Sequence, residues 1–217
     1  MKTPVIFVHG NSDIGFGRGS TDGYVSWQTG SRELFTYLGS QGYTKAELYT
    51  TTWGPANPNM ASSNNHAKKY VMQMRAFVEA VLAYTKAAQV NIIGHSMGVT
   101  IGRKIIQGGQ GVDQKEGTYE VGASLSSKVK TFVGLAGANL GLVACMGGSA
   151  IPTCSNVDGF NPGLMATSGP SKFLASLNNG GKEGTNVHTI WSKNDDLIMY
   201  QCVVWGKVTS RIPGQAS

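Results

Sequence analysis

The sequence predicts an α/β domain, a mostly parallel sheet with helices on both faces, and three observations carry that prediction. Apolar runs of strand length alternate with stretches of helical period along the whole chain, the order that threads parallel strands through crossover helices. One run, Val90-Asn91-Ile92-Ile93, ends in Gly94-His95-Ser96-Met97-Gly98 and passes directly into a helical pattern. The first strand, Val5-Ile6-Phe7-Val8, ends in His9-Gly10. Two glycine-bearing turns therefore fall at carboxyl ends of strands, where open α/β sheets hold their ligands.

The 217 residues suffice for a single domain, 1–217, with a core that needs no metal to hold it. Charged residues are only 14%, and the net charge of +6 is spread without a Lys/Arg run, so a nucleic-acid partner is not expected. No stretch approaches the roughly 20 apolar residues of a transmembrane helix. Met1-Lys2-Thr3-Pro4 leads straight into a core strand with no signal peptide ahead of it, so the front reads as cropped. Cys145, Cys154 and Cys202 fit no metal spacing, and neither metal nor cofactor is expected. Cys145 and Cys154 bracket a Gly/Ser/Pro-rich loop that a disulfide would close, implying an oxidising compartment; three buried free thiols are the other reading. If the pair is bridged, Cys202 is left single.

The elements follow in order. Pro4–Val8 is a continuous apolar run, suited to a strand covered on both faces. Its His9-Gly10 ending lets the backbone turn tightly, so that the amide of Asn11 can face a developing oxyanion beside that of Met97; His9 alone would be a packed loop residue. Ser12–Gly30 is a long Gly/Ser/Asp-rich loop whose Phe16, Tyr24 and Trp27 either line an acyl pocket or anchor the loop. Ser31 is placed as the N-cap of a helix with Leu34, Phe35 and Leu38 on one face. Leu48–Trp53 reads as the second strand. A helix over about 65–88 sets Val71, Met74, Val78, Val81 and Leu82 along a core stripe, with His66 a solvated first-turn residue. Past the central motif come a polar loop over 108–127, a strand at Val129–Gly134 and the small residues Gly137-Ala138-Asn139. A long irregular loop over 141–169, a short helix at Lys172–Leu177 and a last strand at Asn186–Trp191 complete the series, with Ser192-Lys193-Asn194-Asp195-Asp196 directly after it.

The central motif is Gly-x-Ser-x-Gly. With 30 glycines and 19 serines in the chain, about 0.4 such matches arise by chance, so its meaning rests on context. A β-branched strand before it and a helix after it, from Val99 to Gln107, make the strand-turn-helix that lifts a serine hydroxyl into the open, with glycines two residues either side leaving room for strand and helix to approach. Ser96 is thus the candidate nucleophile. An aspartate just past a late strand stands where the acid of a Ser, Asp, His order belongs.

On Pro4–Gly10, Ile92–Gly98, Gly137–Asn139 and Trp191–Asp195, nearly the whole chain, the sequence resembles the class 2 lipases of the α/β-hydrolase superfamily and, more distantly, the compact bacterial lipases. The resemblance implies an α/β-hydrolase fold, with Ser96 the nucleophile, Asp195 rather than Asp196 the acid, and the amides of Asn11 and Met97 the oxyanion hole. It also implies a secreted protein acting on fatty acyl esters at a lipid–water interface. It departs from the family in one part: there the histidine follows the aspartate after one more strand, whereas only 22 residues follow Asp195 and none is histidine. The four histidines, His9, His66, His95 and His188, all lie upstream; His95 is expected to point away from the hydroxyl, and His188 lies within a strand. The chain therefore reads as incomplete, its last strand, helix and catalytic histidine beyond Ser217. Two function classes follow: a lipase or carboxylesterase whose chain as given is inactive, or a non-catalytic hydrolase-fold protein that binds a lipid or a partner. An intact turn, oxyanion motif and acid together favour the first.

Overall fold

A computed structural model describes residues 2–148, 150–164, 168–198 and 202–217. Its centre is a five-stranded sheet formed by β1 (Val5–Val8), β2 (Leu48–Thr50), β3 (Val90–His95), β6 (Val129–Leu135) and β7 (Asn186–Ile190). The spatial order is β2-β1-β3-β6-β7, and every neighbouring pair is parallel. The first connection, through α1 (Arg32–Ser40), carries the chain from β1 out to β2. Every later one, through α2 (Lys68–Thr85), α3 (Met97–Gln107) and α4 (Lys172–Asn178), steps the other way. The direction reverses between β1 and β3. Their carboxyl ends, carrying the His9-Gly10 turn and Ser96, form the switch point at which such sheets open a crevice.

Right-handed crossovers put helices that step in opposite directions on opposite faces. Accordingly α2, α3 and α4 pack together, and α1 stands apart from them. The α2–α4 face is the core. Val71, Met74, Val78 and Val81 of α2 are buried there, as the helical period predicts, against Ile92, Phe132 and the wholly buried Ile101 and Ile105 of α3. The other face is thinner: Ile93 and Val133, which alternation turns towards it, are only half-buried. No residue of α1 is buried, so Leu34, Phe35 and Leu38 form a half-covered stripe.

Several sequence expectations need correction. The Ser31 side chain does not cap α1; its hydroxyl donates to Gly15 O at 2.7 Å, tying the long loop to the helix start. Residues 108–127 are not simply loop but contain an antiparallel hairpin, β4 (Gln110–Asp113) with β5 (Gly117–Glu120), folded against α2 and α4. The strand expected to reach Trp53 stops at Thr50, and a second hairpin, β8 (Val203–Val204) with β9 (Lys207–Val208), follows β7. Ala216 N donates to Val187 O and Thr189 N to Ser217 O, so the tail runs beside β7 in the same direction.

Candidate active site

Ser96 is the one residue between β3 and α3, at φ 53° and ψ −123°. A non-glycine residue there carries strain of about 1–3 kcal/mol and stays only where its surroundings leave no alternative. They leave none. A side chain at Gly94 would stand 2.7 Å from Gly98 O and 2.8 Å from Val99 Cα, and one at Gly98 would run into the carbonyl oxygens of Val8 and His9. The two glycines thus bring β3, α3 and the end of β1 into backbone contact. Ser96 N donates to Leu135 O at 2.8 Å, and its hydroxyl makes no capping bond to α3, so Oγ is left for chemistry.

The neighbouring turn is held by His9. Its buried ring stacks on Trp53 with centroids 5.2 Å apart. Nε2 accepts from Trp53 N at 3.0 Å, which leaves Nδ1–H to donate to Gly10 O at 2.7 Å, while the Trp53 indole donates to His9 O at 3.0 Å. Burial lowers its pKa to about 4, so the ring is neutral and fully occupied in fixing the turn. A Cβ on Gly10 would meet Ser96 Cβ and His95 Nδ1, each at 3.1 Å, so this turn lies directly against the serine. The amides of Asn11 and Met97 have no acceptor among the described residues. The second is a first-turn amide of α3, at the positive end of that helix.

Ser96, Asn11 and Met97 line one cavity of about 390 Å³ whose other walls include Trp27, Pro58, Leu142, Thr153, Phe160 and Leu197. Of the three loop aromatics, Trp27 therefore reaches the cavity, whereas Phe16 packs near Phe35 of α1. A larger cavity of about 860 Å³ lies between Trp191, Arg211 and the tail, but it holds neither the serine nor the free amides. Chemistry rather than size selects the smaller one.

The two aspartates after β7 differ in setting. Asp195 Oδ1 accepts from Leu197 N at 3.0 Å and Ile198 N at 2.7 Å, leaving Oδ2 unengaged among the described residues, and both of those neighbours line the cavity. Asp196 is exposed. His95 extends from the thin face; its pKa is held below the ordinary value by desolvation, against the pull of the Asp13 and Asp195 carboxylates. His188 Nδ1 lies 2.6 Å from Ser217 Oγ.

His66 contradicts the expectation of a solvated helix residue. It precedes α2, is wholly buried, and stacks on Phe173 with centroids 4.1 Å apart. Nδ1 lies 2.7 Å from Asp158 O, and since a carbonyl only accepts, that nitrogen carries the proton and Nε2 accepts from Thr100 Oγ1 at 2.7 Å. Burial lowers its pKa to about 4. The helical period extends back to Asn65, but the ring is drawn inwards by a carbonyl 92 positions away. Among the described residues, then, no histidine is hydrogen-bonded to Ser96. Cys145 and Cys154 form a disulfide, Cα atoms 5.1 Å apart, and Cys202 is a buried free thiol.

The chain matches the family described as lipase (class 2) over residues 2–217. It belongs to the class 2 lipase family. No curated protein matches it. In overall fold this class 2 lipase chain is similar to phospholipase PlaB from Legionella pneumophila, at TM-score 0.53 and 16% identity over 90% of this chain and 40% of that one. It is also similar to Aspergillus fumigatus lipase B, at TM-score 0.55 and 18% identity over 97% of this chain and 42% of that one. The class 2 lipase chain thus spans about two fifths of the length of these structures, and the likeness establishes an α/β-hydrolase fold.

Sequence reasoning missed one support of this turn. Arg103, 1% exposed in the middle of α3, donates to Glu183 at 2.7 Å, Asn139 at 3.0 Å, Asn178 at 2.9 Å and Leu177 O at 2.9 Å. It locks the helix behind Ser96 to α4 and to the chain beyond β6. An arginine at a core position of an apolar helix face was the available signal.

Proposed function

We propose that these residues carry the nucleophile, oxyanion hole and acid of a secreted lipase or carboxylesterase, within a single α/β-hydrolase domain. One observation carries the reading: a strained, uncapped serine faces the same cavity as two unpartnered amides. Ser96 Oγ attacks the ester carbonyl, and the amides of Asn11 and Met97 take up the negative charge that forms on its oxygen. Asp195 Oδ2 orients the imidazole that removes the serine proton and stabilises its charged form. That imidazole is none of the four histidines here: His9 and His66 are spent on structural bonds, His188 lies against the tail, and His95 makes no hydrogen bond to the serine among the described residues. We assign it to sequence outside residues 1–217.

A lipid substrate is supported by the cavity's apolar walls and by exposed Trp27, Met60, Ile151 and Leu197 on the loops around it, a surface suited to a lipid–water interface. No cofactor is needed, and the disulfide supports an oxidising, extracellular setting.

The test is hydrolysis of a p-nitrophenyl acyl ester by residues 1–217 beside the protein from the natural reading frame, each with a Ser96→Ala control. Loss of a triad histidine costs on the order of 10⁶ in turnover, so the short chain should run near background and the long one should be active and silenced by Ser96→Ala. A long chain that binds lipid without turnover indicates the non-catalytic protein instead. Full Ser96-dependent activity in the short chain refutes the assignment of the base, and His95→Ala then identifies the source.

A further inference from the structure

The turn that carries Asn11 is not held by its own residues. Ser12 follows it at φ 61°, a strained setting for serine, yet is only 3% exposed. Something must prevent it from relaxing to negative φ, which would swing the Asn11–Ser12 peptide. The bonds around it show what does. Asn64, 2% exposed, donates from Nδ2 to Asn11 Oδ1 at 2.6 Å and lies 3.3 Å from Ser12 Oγ. Asn11 Nδ2 donates in turn to Ala61 O at 2.9 Å, so both ends of its amide are gripped by one turn, residues 61–64, from 50 positions away. From the opposite side Gln28 Nε2 donates to Ser12 O at 2.6 Å.

The gripping turn is itself anchored. Thr153 Oγ1 lies 2.8 Å from Ala61 O and 2.6 Å from Asn64 O and shares its one proton between them. Thr153 is adjacent to Cys154, inside the loop closed by the disulfide, and lines the Ser96 cavity.

We propose that Asn64 is a positioning residue for the oxyanion hole, holding Asn11 in register with Met97, and that Thr153 on the disulfide loop keeps Asn64 in place. This rests on the function proposed above and adds to it two residues with no hydrogen bond to the serine: Asn64 is not among the cavity's walls, and Thr153, though it lines the cavity, has its hydroxyl engaged by Ala61 O and Asn64 O. Asn64→Asp keeps the size but sets an acceptor against Asn11 Oδ1; Thr153→Val keeps the shape but removes the hydroxyl, and Thr153→Ser restores it.

The experiment uses the protein from the natural reading frame. Loss of one oxyanion donor costs about 10²–10³ in turnover, and displacing it should cost somewhat less. Asn64→Asp and Thr153→Val should lower kcat about 10- to 100-fold with KM within about threefold, and Thr153→Ser should recover most of it. Hydrogen exchange of the Asp13 amide, bonded to Gly10 O in the wild type, should rise about tenfold in the two impaired variants with the global unfolding midpoint of Thr153→Val little changed. Wild-type kcat in Asn64→Asp, or a Thr153→Ser no better than Thr153→Val, overturns the proposal. If the wild type proves inactive, the enzymatic reading falls, and the exchange measurement still decides: unchanged Asp13 exchange refutes the grip of Asn64 on the turn.

Discussion

The Ser96 side and the Asp195 side of the cavity are built in different ways. Around Ser96, His9 and Val99 are wholly buried, Met97 is 1% exposed, and Gly94 and Gly98 sit where a single methyl group would meet backbone. Across the cavity, Asp195 belongs to a loop whose Leu197 is 65% exposed, and among the described residues the carboxylate is held by two amides of that same loop. The first arrangement is a by-product of core packing and cannot move without disturbing the sheet. The second is local and leaves one oxygen unengaged among the described residues. A residue in a strained conformation needs many contacts to keep it in place, whereas the role proposed for Asp195, orienting an imidazole, needs only that the carboxylate be presented.

The largest effect of a single substitution should separate the two sides directly. Gly98→Ala forces a methyl group into the Val8 and His9 carbonyls and should cost about 3 kcal/mol or more, whereas Asp195→Ala should cost under about 1 kcal/mol, both read from urea midpoints. Equal losses would mean that the acid loop is as deeply tied to the core as the turn.

Acid should find the same asymmetry. His9 and His66 are neutral in the fold, with pKa values lowered to about 4 from an ordinary value near 6.5. A depressed folded pKa leaves stability fully present above pH 6.5 and withdraws it as the pH falls towards 4, by about 3 kcal/mol for each ring. Denaturant titrations from pH 7 to pH 4 should show this decline, and His66→Gln should be less stable at pH 7 but flatter across the range. An equally steep decline in the variant would remove His66 from the account.

The smallest effect has the opposite sign. Ser96→Gly relieves the strain at φ 53°, and after the added freedom of glycine in the unfolded chain it should leave the protein about 1 kcal/mol more stable, while removing the proposed nucleophile. A destabilised Ser96→Gly would show that the serine conformation carries no strain.

The sequence alone determined the parallel α/β order, the strand-turn-helix at Ser96, the glycines at 94 and 98 and the core stripe of α2. Each rests on a local rule: a period of two or 3.6, or a backbone too close for a Cβ. The family could be read from the same residues, since its motifs are those turns. Tertiary structure decided the rest. It buried His66, which a helical period left in solvent, through Asp158 at 92 positions' remove. It gave the two adjacent aspartates, between which the family resemblance had already chosen, different settings: Asp195 accepts from two amides of its own loop, and Asp196 is exposed. It brought Trp27 rather than Phe16 to the cavity and left α1 half-covered on the thin face. It also set Asn64 against Asn11 from 53 positions away, through polar bonds that no hydrophobic period records. Periodicity reports which way a side chain faces along its own element; which partner it meets is settled only when the elements pack.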